Sequence, residues 1–309
     1  MTNQNPMMCD LETGICGPAG EGNAEMSFID LSTPSKKIDL YYVTDPICSH
    51  CWALEPTLRK FVEEYGQYFN MHTIMGGLLE KWDGFADVSN GISGPEDVAG
   101  HWREVGDHTR MPIDGSFWLE DPVSSSFIPS RVYKVIQQKD ASLAPVFLRK
   151  AREAVFPFNK NIGRDQVLID IINEMGLNGE EIVKESYLPA AQDSLQEDFQ
   201  MAGRLSVRGF PTIIFLNEEK KGVKVGGARP FDSYVQALKQ ILPEENIQPK
   251  TAPKLQNILK KEGLLFSREI EELYGLEQSD VAAFVEKELT TDGYIVEEVL
   301  GEKYIKVNK

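Results

Sequence analysis

Two cysteines three positions apart in "DPICSHCW" (45–52), with a histidine against the second, are the residues best suited to chemistry. Such a pair is a redox dithiol, half of a metal clip, or a relic in a binding protein. If a helix opens at the first cysteine, that sulfur meets unsatisfied backbone N–H groups and the positive end of the helix dipole, which favour thiolate over thiol. Cys48 is then the attacking thiolate. Cys51, one turn on and more buried, is the resolving thiol. His50 between them adds a donor or partial positive charge, and stabilising the reduced form makes a more oxidising disulfide. The plain alternative for His50 is a solvated loop residue.

Further candidates lie outside this stretch. Cys9 and Cys16 are an auxiliary redox pair, ligands with Cys48 and Cys51 in a zinc site, or incidental residues of a tail. No other cofactor is expected. His72, His101 and His108 lack the spacing of a helical metal pair and read as structural or surface residues. Trp82, Trp102 and Trp118 line a groove near the cysteines or fill the core. Far downstream, "VRGFPTIIF" places Pro211 at the start of a strand, where a proline need not donate to the ladder.

The elements that must position these residues can be read from periodicity. "IDLYYV" from Ile38 is a buried strand, and 49–65 carries apolar residues at helical spacing, with Pro56 expected to kink it. "YFNMHTIMGGLL" is a second strand, giving a βαβ start. From about 95 to 208 the pattern is helical, an all-helical insertion. Strands return at 210–216 and 221–227, and a helix from about Phe231 to Leu242 closes the unit.

The expected organisation is a flexible tail over 1–35, a main domain over 36–245, a proline-rich linker over 246–253 and a small module over 254–309. In the module, three helical segments precede an alternating hairpin with Gly301 in its turn, which suggests a winged-helix-like α+β domain. Its eight basic and twelve acidic side chains argue against DNA and for a partner-binding or dimerising role.

A formal charge of −16 disfavours nucleic acid and anionic membranes as partners. "MTNQNPMMCDLETG" has no basic segment followed by an apolar core, so a cytoplasmic location is expected. There, four cysteines in 309 residues read as chemistry or metal rather than structural staples. The glycines match no phosphate-binding loop.

The βαβ start with "DPICSHCW", the helical insertion, and "GFPTIIF" before a hairpin and final helix together resemble the DsbA family of the thioredoxin superfamily. Cytoplasmic FrnE-like dithiol-disulfide isomerases are the nearer likeness. "VTDPICSHCWALEP" also resembles the SpxH (YjbH) adaptors, DsbA-like proteins that present the regulator Spx to the ClpXP protease. The likeness covers about 36–245. It implies an α/β thioredoxin fold with the insertion, and Pro211 as a cis-proline facing Cys48 and Cys51. It further implies that Gly209 and Phe210 offer backbone to a substrate strand, and Trp52 is a candidate substrate contact. The expected activity is disulfide exchange with protein or low-molecular-weight thiols. The alternative is an adaptor for an Spx-like regulator and ClpXP, with cysteines that sense redox state.

Overall fold

The computed structural model describes residues 7–9, 16–18, 37–85, 87, 91–242 and 246–308. The chain forms two compact units, Met1–Lys36 and Lys37–Lys309. In the first, β1 (Met7–Cys9) pairs antiparallel with β2 (Cys16–Pro18), and Cys9 stands opposite Cys16 in the backbone register. The redox or zinc role weighed for those two thiols lies outside the described residues.

The second unit is organised on β3 (Ile38–Thr44), whose apolar run is buried at nearly every position because it is an inner strand. Directly after it come α1 (Ser49–Ala53), α2 (Glu55–Tyr65) and β4 (Phe69–Met75), and β4 lies parallel to β3. The expected kink is a full break at Leu54. Pro56 has no N–H to bond back to Trp52, so the second helix restarts with the proline in its first turn.

Seven helices follow as the insertion: α3 (Pro95–Thr109), α4 (Phe117–Glu120), α5 (Phe127–Lys139), α6 (Ala144–Val155), α7 (Asp165–Glu174), α8 (Gly179–Ser186) and α9 (Pro189–Arg204). The chain then returns through β5 (Thr212–Leu216), β6 (Gly222–Gly226) and α10 (Phe231–Ile241). The sheet order is β4-β3-β5-β6, with β5 antiparallel to both neighbours. This is a thioredoxin core with an all-helical insertion between β4 and β5.

Residues 246–253 run as extended coil, as their prolines favour. They lie along the end of α2: Ile247 is buried with Phe61, and the Lys250 N–H donates to the Glu64 carbonyl at 2.7 Å. The last segment comprises α11 (Leu255–Glu262), β7 (Leu264–Phe266), α12 (Ser267–Tyr274), α13 (Val281–Glu288), β8 (Tyr294–Val299) and β9 (Glu302–Val307), with strand order β7-β9-β8. The three-residue β7 escaped the sequence reading because alternation cannot register over so short a run. Leu255, Ile258, Leu265 and Ile305 form the module's own core, while Phe266 and Tyr304 are buried in the same cluster as the insertion. At about 1.5–3 kcal/mol for each buried large apolar side chain, these two bind the module to the main domain.

Candidate functional site

Cys48 is the N-cap of α1, in extended backbone conformation, and its Sγ accepts the Cys51 N–H at 3.2 Å. It is 6% exposed and Cys51 is 0% exposed, so only the first sulfur is reachable. Both are free thiols. Beside Cys48 opens a groove of about 560 Å³. Its walls include Trp82, Phe85, Trp102 and Trp118 from the β4–α4 region, and its mouth includes Gly209 and Phe210. The Phe210–Pro211 bond is cis. Thus the dithiol and the segment before Pro211, separated by over 150 residues, border one groove.

His50 is exposed at the rim, and its ring meets that of His101 edge-on at 5.4 Å. Desolvation and His101 lower its pKa, which favours the neutral ring, so of the donor or partial positive charge expected from sequence the charge is the disfavoured one. Trp52, expected as a substrate contact, is a correction: it is fully buried on the far side of α1 and donates its indole N–H to the Pro112 carbonyl at 3.0 Å. One residue after Cys51, its side chain points into the core, where it stacks on Phe156. Among the described residues, no group of three or more His, Cys, Asp or Glu side chains could hold a metal. His72 pairs with Asp39 at 2.9 Å, away from the groove.

The charges beneath the dithiol were not found from the sequence. Arg152 of α6 is wholly buried. It donates to the Thr44 hydroxyl oxygen, to the Asp45 carbonyl at 3.1 Å and to the Glu55 carboxylate. Arg152, Thr44 and the Asp45 backbone all bear on the proton affinity of the Cys51 sulfur. Burial raises the proton affinity of both sulfurs. At Cys51 this is outweighed by the Cys48 thiol, Arg152, Thr44 and Asp45, so its pKa is lowered. At Cys48 burial, together with its bond to Cys51 and the charge there, raises it. The sequence expectation put the attacking thiolate at Cys48; there the helix N-terminus supplies the Cys51 N–H at 3.2 Å to the one sulfur of the pair with any exposure.

Asp45 is also fully buried and accepts from the Ile47 and Leu78 N–H groups and the Ser126 hydroxyl at 2.8–3.0 Å. Burial pushes its carboxyl up to about 6. The sequence carries no signal for the buried arginines: helix α6, "APVFLRKAREAV", has one apolar face, and Arg149 and Arg152 lie on the other, where a solvated side is expected.

Residues 41–236 match the family described as Thioredoxin. Among solved structures, a putative protein disulfide isomerase from Nitrosomonas europaea superposes with a TM-score of 0.58 at 17% identity, covering 68% of this chain and 100% of that one. The cytosolic disulfide reductase DsbM from Pseudomonas aeruginosa gives 0.53 at 19%, covering 65% and 98%. At these identities the likeness is one of fold. The ClpXP adapter protein SpxH of Halalkalibacterium halodurans is 33% identical over 279 residues, 89% of each chain. That of Bacillus subtilis is 29% identical, covering 82% of this chain and 84% of its own. With a thioredoxin core carrying a dithiol at a helix N-terminus, and similarity running well beyond that core, the chain belongs to the thioredoxin family and, within it, to the family of the SpxH adapter proteins.

Proposed function

We propose that this chain is a cytoplasmic adaptor that presents a regulator of the Spx kind to the ClpXP protease, with the Cys48–Cys51 pair as its redox-sensing element. The observation that carries this reading is the alignment with relatives named as ClpXP adapters, which extends over 279 residues and so exceeds the 41–236 thioredoxin match. The C-terminal module is read as a winged helix from its order of helix, strand, two helices and hairpin with sheet order β7-β9-β8. Its acidic balance, eight basic against twelve acidic side chains, suits a protein partner rather than DNA.

The sensing chemistry is disulfide exchange. Cys48 sulfur attacks a partner disulfide, forming a mixed disulfide and releasing one partner thiolate. Cys51 sulfur then attacks Cys48, closing the internal disulfide and releasing the second thiolate. Two electrons pass to the partner, and the two cysteine protons end on the released thiolates. Gly209 and Phe210, just before Pro211, line the same groove as Cys48 and His50, where a client segment would lie.

A second reading, a thiol-disulfide oxidoreductase or isomerase, is favoured by the free dithiol bordering the same groove as the segment before Pro211. Reconstituted degradation separates the two. Purified ClpXP and an Spx-type client are incubated with the wild-type chain and with the double variant Cys48→Ser, Cys51→Ser. An adaptor accelerates client loss with either chain. No acceleration by the wild type, together with turnover of a test peptide disulfide, would overturn the adaptor in favour of the enzyme. Cys51→Ser alone traps partners on Cys48 as mixed disulfides, and an empty trap removes the exchange role.

A further inference from the structure

Helix α1 is only five residues long and the chain breaks after it at Leu54, so its own backbone holds it weakly and its pose depends on what its side chains pack against. Cys48 caps it on the side of the groove. On the far side stands its largest side chain, Trp52, wholly buried, with its backbone N–H returning to the Cys48 carbonyl at 3.1 Å. The main domain walls this indole with the Pro112 carbonyl, which accepts the ring N–H at 3.0 Å, with Phe156, stacked at 5.6 Å, and with the Arg149 guanidinium, 4.9 Å over the ring. The C-terminal module adds Phe266, edge-on at 5.7 Å with 85° between the ring planes. Phe266 is itself held from behind. It is the N-cap of α12, it donates its N–H to Glu269 at 3.0 Å, and Arg149 grips that carboxylate with two bonds of 2.8 Å. One wall of the Trp52 pocket thus belongs to the module.

We infer that Phe266 is a positioning residue for the dithiol, and that through Trp52 the redox state of Cys48 and Cys51 is coupled to the docking of the C-terminal module. This coupling rests on the reading of the pair as redox-active, and it gives the sensor a route to the module. In the state described here both cysteines are free thiols, and the Cys51 N–H closes the first turn of α1 onto the Cys48 sulfur at 3.2 Å. When an external disulfide oxidises the pair, the Cys48–Cys51 bond forms, the external disulfide breaks, and two electrons and two protons pass to the thiols it releases. A covalent tie across so short a helix replaces that hydrogen bond and re-seats the turn, and Trp52, the next residue, moves with it. The edge-on fit to Phe266 belongs to the dithiol form. Oxidation therefore loosens the module, and by reciprocity a partner that draws Phe266 away from Trp52 favours the disulfide by the same factor.

The test uses the full chain in glutathione redox buffers, with the oxidised fraction read by thiol alkylation. Wild type must interconvert between dithiol and disulfide, and failure to do so defeats the redox reading itself. Given interconversion, Phe266→Leu keeps the apolar bulk and removes the ring edge. The equilibrium should then move toward the disulfide by roughly threefold, and by no more than about tenfold, the most that one aromatic pair is worth. A residue that only stabilised the fold would affect both forms alike, so an equilibrium that is unchanged, or that moves toward the dithiol, overturns the coupling. A second measurement needs no variant. In the wild type, amide hydrogen exchange across 264–274 should be faster in the disulfide form than in the dithiol form, by the same two- to tenfold range. Equal rates in the two forms, or slower exchange in the disulfide form, also overturn it.

Discussion

Arg149 and Glu269 face each other in a two-pronged ion pair, both N–O distances 2.8 Å, that ties helix α6 of the insertion to helix α12 of the C-terminal module. Glu269 is 1% exposed and also accepts the Phe266 N–H at 3.0 Å, while the Arg149 guanidinium lies 4.9 Å over the Trp52 ring. Arg59 of α2 approaches the same carboxylate at 3.4 Å. Breaking a buried pair costs about 3–5 kcal/mol, and because Arg149 keeps Glu153 at 2.7 Å the loss here falls at the low end of that range. Glu269→Gln should therefore lower the unfolding free energy by that order and speed amide hydrogen exchange across 255–308. A variant with wild-type stability and exchange would mean that the module is held by its other contacts, Phe266, Tyr304 and the Arg110 pairs with Glu271 and Glu302.

Where one physical signal dominates, the sequence was legible. Continuous apolar runs marked β3 and β5, three-and-four spacing marked the insertion helices, and Gly301 with a positive φ marked the last hairpin turn. The cysteine pair at the opening of α1 was found because chemistry limits which residue types can do that work. Arg149, Arg152 and Glu269 were missed because a charged side chain is ordinarily solvated. Only tertiary packing, by covering the charged face of α6 and burying Glu269 of α12 against it, turns these three into interior residues. The cation beneath the dithiol was invisible for the same reason: Arg152 lies about 100 positions away in the chain.

Gly76 carries a prediction about the groove. A Cβ there would fall 2.0 Å from the Phe210 ring, and the next residue, Gly77, has a φ of +75°. The strand end is thus pared to backbone so that Phe210 can lie across it. Gly76→Ala should cost about 1–3 kcal/mol through overpacking or drive the ring outward. In a Phe210→Ala background the same change should cost almost nothing, giving a large coupling in the double-mutant cycle. Additive effects from the two substitutions would show that the ring does not depend on that space.

Asp45 predicts a pH dependence of stability. Its carboxyl, ordinarily near 3.8, is raised to about 6 by burial, against the pull of the Leu78 and Ile47 N–H groups, the Ser126 hydroxyl and Arg152. The folded state therefore holds this proton more tightly than the unfolded chain does. The stabilisation is fully present below the unfolded value. It is lost progressively as pH rises from about 4 to about 6, by roughly 3 kcal/mol in all, since each tenfold difference in proton affinity is worth about 1.4 kcal/mol. Asp45→Asn does not titrate and carries only a constant penalty for its lost acceptor. The wild-type minus Asp45→Asn difference in unfolding free energy should thus fall by that amount between about pH 4 and pH 7 and then level off. A difference that stayed flat, or rose with pH, would place the carboxyl in its ordinary range and show that the three hydrogen bonds and Arg152 outweigh burial.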